Sequence, residues 1–178
     1  MNETIKKLRD QHGTPSERSQ KKLVNYMNES VQEFIRLSPF AVMASSNENG
    51  DCDASPRGGL PGFIKVLDEK TLLIPDIKGN RLFQSFENID SNPKVGIIFF
   101  IPGNNWAARV NGTVKMVNEQ EVNSIIKQLE VNNPDEGAQL IQGLILTVDE
   151  AYRHCPRAMQ FSNLWDVDQI NQNERTGW

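Results

Sequence analysis

The sequence predicts a mainly β protein, a small antiparallel barrel with helices over its ends or flank. Three observations lead there. Short apolar runs such as FAVMASS and KVGIIFFIP are bounded by turn residues and rich in strand formers. The runs come in pairs joined by turns too short for a crossover helix, so the pairing is antiparallel. Six or seven such runs fit within 178 residues, a length that suits one domain with one sizeable core.

The elements follow in order. Thr14-Pro15-Ser16-Glu17 opens a helix: Thr14 caps, Pro15 suits the first helical position and Glu17 completes a capping box. Leu23, Met27, Val31, Phe34 and Ile35 recur at helical spacing before Pro39, so one amphipathic helix is expected over about 16–37. FAVMASS (40–46) and DCDAS (51–55) form a hairpin about NENG, where Asn49-Gly50 tolerates positive φ. FIKVLD (63–68) and TLLIPD (71–76) form a second hairpin. GNRLFQSFENI (79–89) returns to helical spacing, with Leu82, Phe83, Phe86 and Ile89 on one face and Asn92-Pro93 as the stop. KVGIIFFIP (94–102) is a buried strand, GNN a turn, and WAARVNGTVKMV (106–117) a long strand with a bulge at Gly112. Asn118 and Glu121 cap the short helix VNSIIKQL, VNNPDEG is a loop, and LIQGLILTVDEAY (140–152) is the last strand. The tail from His154 is irregular or briefly helical. A single domain thus covers 1–178, with the helix at 16–37, the barrel at about 40–152 and a tail at 153–178.

Composition narrows the function. Net charge is −4 and the isoelectric point about 5.3, against the basic face that nucleic-acid binding requires. No segment approaches the roughly 20 apolar residues of a membrane span. The N-terminus MNETIKKLRDQHG lacks the apolar core of a secretory signal. Cys52 and Cys155 are isolated and form no CxxC, which fits a reducing cytoplasm.

The oddest stretch is DASPRGGLPGF (53–63), which sets Arg57 among Pro56, Gly58, Gly59 and Pro61-Gly62. In a meander, the strand ending at Ser55 and the one ending at Asp76 can lie close at one barrel end. Arg57 then faces Lys78-Gly79-Asn80-Arg81, at the expected start of a helix. A helix N-terminus offers free N–H groups and a positive dipole end. Three cations converging in an acidic chain call for an anion, and arginine's planar fork suits phosphate. Gly58 and Gly59 would let a flat ligand approach the backbone. The alternative is a solvated turn in which Arg57 pairs with Asp53.

These residues carry a resemblance. SPFAVMASSNENGDCDASPRGGLPGF, TLLIPDIKGNRLFQSFENIDSNPKVGIIFFIPG and RVNGTVKMV are similar to the pyridoxamine 5′-phosphate oxidase-like family of FMN-binding split barrels, over about Thr14 to Asp166. The resemblance implies a six-stranded antiparallel split barrel of Greek-key type with peripheral helices. It also implies a homodimer with FMN at the subunit interface. By position, Arg57 resembles the strand arginine on the FMN phosphate, with Ser55 and Gly58 beside it. Arg81 resembles the basic residue of the first helical turn, with Lys78, Gly79 and Asn80 alongside. Ile74, Pro75 and Asp76 would line the isoalloxazine edge, and Arg109, Asn111 and Trp165 would approach from the other subunit. The tail HCPRAMQFSNLWD resembles one branch of the family but has Phe161 where a basic residue is common. Residues that bind pyridoxamine 5′-phosphate in the true oxidases are not recognisable, so the vitamin B6 substrate does not carry over.

The implied function is an FMN-dependent oxidoreductase of unknown substrate; the rival is an FMN carrier or flavin-based sensor. His12 and His154 lack spaced partners and read as surface or structural residues, so no metal is expected. Cys155 beside His154 does not make a nucleophile pair, because adjacent side chains rarely point at each other. Trp106 and Trp178 read as packing or terminal residues.

Overall fold

The computed structural model describes residues 2–127, 130–131 and 137–175. Its elements are α1 (Glu3–His12), α2 (Glu17–Gln20), α3 (Glu29–Leu37), β1 (Phe40–Ser46), β2 (Cys52–Gly58), β3 (Lys65–Asp68), β4 (Thr71–Ile77), α4 (Gln84–Ser91), β5 (Lys94–Phe100), β6 (Ala107–Asn118), α5 (Glu119–Ile125), β7 (Leu140–His154), α6 (Arg157–Phe161) and α7 (Val167–Arg175). Much of the predicted loop VNNPDEG, the end of the helix predicted over VNSIIKQL, and Trp178 lie outside the described residues.

The strands form one antiparallel sheet in the order β2-β1-β5-β6-β7-β4-β3. The fold is the mainly β split barrel that the sequence predicts, with seven strands in place of six. The sheet curls until β2, at one edge, meets β4, next to the other. Interior side chains from β1, β4, β5, β6 and β7 then fuse into one core, with Met43, Leu72, Ile74, Ile97, Phe99, Val110, Leu144 and Leu146 all buried. Burying one such side chain contributes roughly 1.5–3 kcal/mol. The apolar run LLI in β4 is buried on both faces. Leu72 and Ile74 point into the barrel, while Leu73 packs with Val117, Val122 and Ile126 under α5.

Helix α3 closes one barrel end with Val31, Phe34 and Ile35, one apolar stripe at helical spacing. It is not the continuation of a helix begun at residue 16. After the single turn of α2, Val24 bridges Ala151 of β7, whose N–H donates to the Val24 carbonyl at 2.9 Å. The Met27 N–H donates to the Glu69 carbonyl at 2.7 Å. These tertiary bonds replace helical ones, and Asn28 restarts the chain by accepting from the Val31 N–H. The predicted helix over 16–37 is therefore two helices joined by an extended segment, and α1 precedes both.

Strand β6 runs between β5 and β7 and is not an edge; Ala107, Ala108, Val110, Val114 and Val117 are buried, while Met116 is exposed. The bulge expected at Gly112 is present, since the β6–β7 register shifts between Asn111 and Gly112. A Cβ at Gly112 would overlap the Thr147 carbonyl oxygen and lie 2.6 Å from Leu146 Cδ2. The capping box of Asn118 and Glu121 is complete in both directions, at 3.0 Å each. No helix among the described residues is long and apolar enough to cross a membrane. Cys52 and Cys155 are free and exposed.

The bulge gives a stability prediction. Gly112→Ala forces a backbone shift in the two longest strands and should destabilise the protein by about 1–3 kcal/mol, read as a lower urea midpoint. An unchanged midpoint would show that the β6–β7 ladder is not closely packed there.

Candidate functional site

Strand β2 extends past Ser55 to Gly58, so Arg57 sits on the strand and not in the turn after it. Alternation along β2 puts Asp53, Ser55 and Arg57 on the half-buried face and leaves Cys52, Ala54, Pro56 and Gly58 exposed. That face looks onto a cleft of about 280 Å³ bounded by β2, the end of β4 and the approach to α4. Ser55, Arg57, Asp76, Gly79, Asn80 and Arg81 line it, together with Asp53, Ile77, Leu82, Phe83, Ser85, Phe86 and Ile141.

Arg57 is the centre of the cleft. Its Nη1 lies 3.6 Å from Asp76 Oδ1, and its side chain is 18% exposed. That separation exceeds hydrogen-bond length, and Arg57 donates no hydrogen bond among the described residues. Asp53 is not its partner: Asp53 Oδ2 accepts from the Ser85 hydroxyl at 2.6 Å, tying β2 to α4. Burial pushes the Asp76 carboxyl above the usual carboxylate range. Arg57 and a hydrogen bond from Gln142 Nε2 at 3.4 Å oppose that rise.

The approach to α4 differs from the sequence expectation. The helix starts at Gln84, and Arg81 (φ 63°) and Phe83 (φ 52°) both adopt left-handed backbone. Arg81 therefore lies in the loop before the helix, not on its first turn. Asn80 Oδ1 accepts from the Leu82 N–H at 3.1 Å and fixes that loop. Phe83 occupies the cap position with no side-chain hydrogen bond to the helix, so the first turn of α4 lacks a side-chain cap. Leu82 and Phe83 are exposed, whereas Ile89 is buried, so the expected apolar face covers only the helix proper.

Other predicted residues are placed elsewhere. Ile74 is buried in the core, and its neighbour of opposite parity, Ile77, reaches the cleft. Pro75 is half-buried opposite Gly143 and does not line the cleft. Lys78 is exposed, with its N–H bonded to the Gln139 carbonyl at 2.8 Å. A Cβ at Gly58 would make only ordinary contacts, 3.8 Å from the Pro39 carbonyl oxygen and 3.9 Å from the Phe40 ring, but one at Gly59 would overlap the Glu130 carbonyl and lie 2.6 Å from Phe63 Cβ. Gly59 thus serves a close turn and gives no ligand access. Arg109 on β6 donates to Glu150 at 2.6 Å and stacks 4.5 Å over Tyr152, and Asn111 donates to the same carboxylate at 3.2 Å. Trp165 donates to the Asn104 carbonyl at 3.0 Å. None of these three joins the cleft within one chain.

Sequence reasoning missed Asp53, Ala54 and Pro56 on β2 and Ile77, Leu82, Phe83, Gln84, Ser85, Phe86 and Ile141 beyond it. Only the alternation along β2 could have pointed to Asp53. Those beyond β2 depend on how β7 and α4 pack beside β4.

The raised carboxyl of Asp76 gives a pH signature. A carboxyl whose folded value lies above its ordinary 3.8 binds more protons folded than unfolded. Its contribution is fullest below 3.8 and is lost as pH rises through the folded value. In urea titrations from pH 7 to 4, the parent should gain stability relative to Asp76→Asn as pH falls. A flat or opposite difference would mean that attraction to Arg57 outweighs burial.

Comparisons with known proteins fit this geometry. The pyridoxamine 5′-phosphate oxidase family model matches residues 27–155, which include every residue of the cleft. A candidate pyridoxamine 5′-phosphate oxidase from Lactobacillus delbrueckii is 18% identical with a TM-score of 0.54, over 74% of this chain and 98% of that one. HupZ from Group A Streptococcus is 15% identical with a TM-score of 0.50, over 71% and 93%. A conserved Corynebacterium diphtheriae protein of unknown function is 12% identical with a TM-score of 0.51, over 74% and 96%. No curated protein matches. The solved structures share the fold, and the family match over most of the chain establishes that the protein belongs to the pyridoxamine 5′-phosphate oxidase family.

Proposed function

We propose that this cleft binds FMN and that the protein is an FMN-dependent oxidoreductase. The observation that carries the reading is Arg57, a part-buried guanidinium with no hydrogen-bond acceptor, beside Arg81 and a helix start without a side-chain cap. A phosphate would take donors from both arginines and from the first turn of α4. The Ser55 hydroxyl lines the same cleft. Ile77, Phe83, Phe86 and Ile141 offer apolar surface for a ring system. Bound FMN supplies hydride or single-electron transfer itself. The protein's residues then bind and orient it.

The reading includes a two-fold dimer. Phe161, Leu164, Val167 and Ile170 on the tail are exposed, more apolar surface than a solvated arm requires. Arg109, Asn111 and Trp165 stand away from their own chain's cleft, where an isologous interface could bring them to the partner's.

Charge-assisted hydrogen bonds are worth roughly 1.5–3 kcal/mol, and about 1.4 kcal/mol is tenfold in affinity. Arg57→Ala and Arg81→Ala should each weaken FMN about 10- to 100-fold in a flavin-fluorescence titration and leave riboflavin nearly unchanged. Arg9→Ala on α1 is the control. Equal affinity of the parent for FMN and riboflavin would remove the phosphate role. Anaerobic bleaching of the bound flavin by a reduced nicotinamide donor separates the enzyme from a carrier.

Sedimentation at micromolar concentration should give about twice the chain mass of 20.1 kDa. A monomer that binds FMN tightly would show that the site is not shared.

A further inference from the structure

A second cleft, of about 340 Å³, lies where the extended segment after α2 crosses β7. It shares no residue with the Arg57 cleft. Arg18, Lys21, Lys22 and Arg153 supply four cations to its wall, and Tyr26, Trp106 and Tyr152 supply three aromatic rings. No carboxylate lines it, although the chain as a whole carries a net charge of −4.

The fold builds this arrangement at some cost. With α2 ended before Lys21 and Val24 bridged to Ala151, Lys21 and Lys22 line the same cleft as Arg153. Arg153 itself is fixed from three sides. Its guanidinium carbon lies 5.0 Å from the Trp106 ring and 5.3 Å from the Phe34 ring, and its Nη1 donates to the Ser30 hydroxyl at 3.3 Å. Its Nε is buried without a partner, and no carboxylate pairs with Arg153 among the described residues. Lys21 pairs with Glu17 at 2.6 Å on the exposed rim, which leaves Arg18 and Lys22 without ion pairs there. A part-buried guanidinium against two rings, in a cleft also lined by two cations that form no ion pair among the described residues, has the chemistry of an anion receptor with flat apolar walls.

We infer that this cleft is a second ligand site, for a small molecule that joins a phosphate to a planar ring, a nucleoside monophosphate by class. The phosphate takes Arg153, Arg18 and Lys22, and the base lies against Tyr26, Trp106 or Tyr152. The volume falls within the ordinary range of small-molecule sites. This inference is independent of the FMN reading, because the two clefts have no residue in common.

The test uses the full-length protein, adenosine 5′-monophosphate and adenosine in a calorimetric titration at low salt. The monophosphate should bind at least about tenfold more tightly than adenosine, the margin of one charge-assisted phosphate contact. The double variant Arg18→Ala/Lys22→Ala alters only exposed side chains and should fold as the parent does. It should lose about tenfold in affinity for the monophosphate and leave adenosine unchanged. Arg153→Lys keeps the charge but not the stacked plane; it should also weaken the monophosphate, with its fold checked by near-ultraviolet circular dichroism. Arg57→Ala should bind the monophosphate like the parent. Absence of binding at millimolar monophosphate, equal affinity for adenosine, or an unchanged double variant would each overturn the site. Loss of binding in Arg57→Ala would instead place the nucleotide in the first cleft and overturn it equally.

Discussion

One contact joins the two ends of the curled sheet at the cleft: the guanidinium of Arg57 and the carboxylate of Asp76, 3.6 Å apart. Arg57 stands on the edge strand β2, and Asp76 stands on β4, next to the opposite edge. As a source of stability this contact is poor. It is too long for a hydrogen bond, and burial raises the Asp76 carboxyl despite the cation beside it. Part-buried ion pairs repay their desolvation only with close geometry and full hydrogen bonding. Under the proposed function, a phosphate would give Arg57 the acceptor that Asp76 does not.

The fold was legible wherever an element meets its own needs locally. Strand β1 has its expected limits, because its apolar and small residues alternate between a well-marked start and a turn at Asn49-Gly50. The capping box at Asn118 satisfies its donors within one turn, and the Gly112 bulge follows from a position where no side chain fits. Legibility failed where the backbone bonds to distant partners. Residues 21–28 carry a helical apolar pattern, yet Val24 and Met27 spend their hydrogen bonds on Ala151 and Glu69. Periodicity reports which side of a segment is buried. It does not report which carbonyl each N–H will find.

The site divides in the same way. The meander expected for β1 to β4 is absent, yet the curl of the sheet brings Arg57 and Arg81 to one cleft, which Lys78 does not line. The exact partners did not follow. The sequence offered Asp53 as the neighbour of Arg57, but Ser85 claims Asp53 and leaves Asp76 opposite the guanidinium. In β4 the strand's parity sends Ile74 inward to the core, and it is Ile77 that meets the cleft. Left-handed backbone at Arg81 and Phe83 delays α4 to Gln84, and no propensity signal marks that delay. A one-residue error in parity or in a helix start moves a side chain to the opposite face, so site residues are harder to read than the elements that bear them.

Three arginines among the described residues are part-buried: Arg57, Arg109 and Arg153. Their partners separate them. Arg109 is held by a carboxylate, with Glu150 at 2.6 Å and the Tyr152 ring beside it, while its Nε is buried without a partner. Arg57 and Arg153 have no hydrogen-bonded carboxylate, and each faces a cleft with further cations on its wall. Taking a guanidinium partly out of water without a matched anion is unfavourable. The surroundings of each offset that cost differently. Asp76 stands by Arg57 as a distant counter-charge, whereas the Phe34 and Trp106 rings lie against Arg153 at 5.3 and 5.0 Å. A counter-charge can be displaced by a competing anion, whereas an uncharged ring does not compete with one. The first arrangement fits a cleft whose occupant changes the electrostatics around Asp76. The second leaves a cation held by uncharged rings.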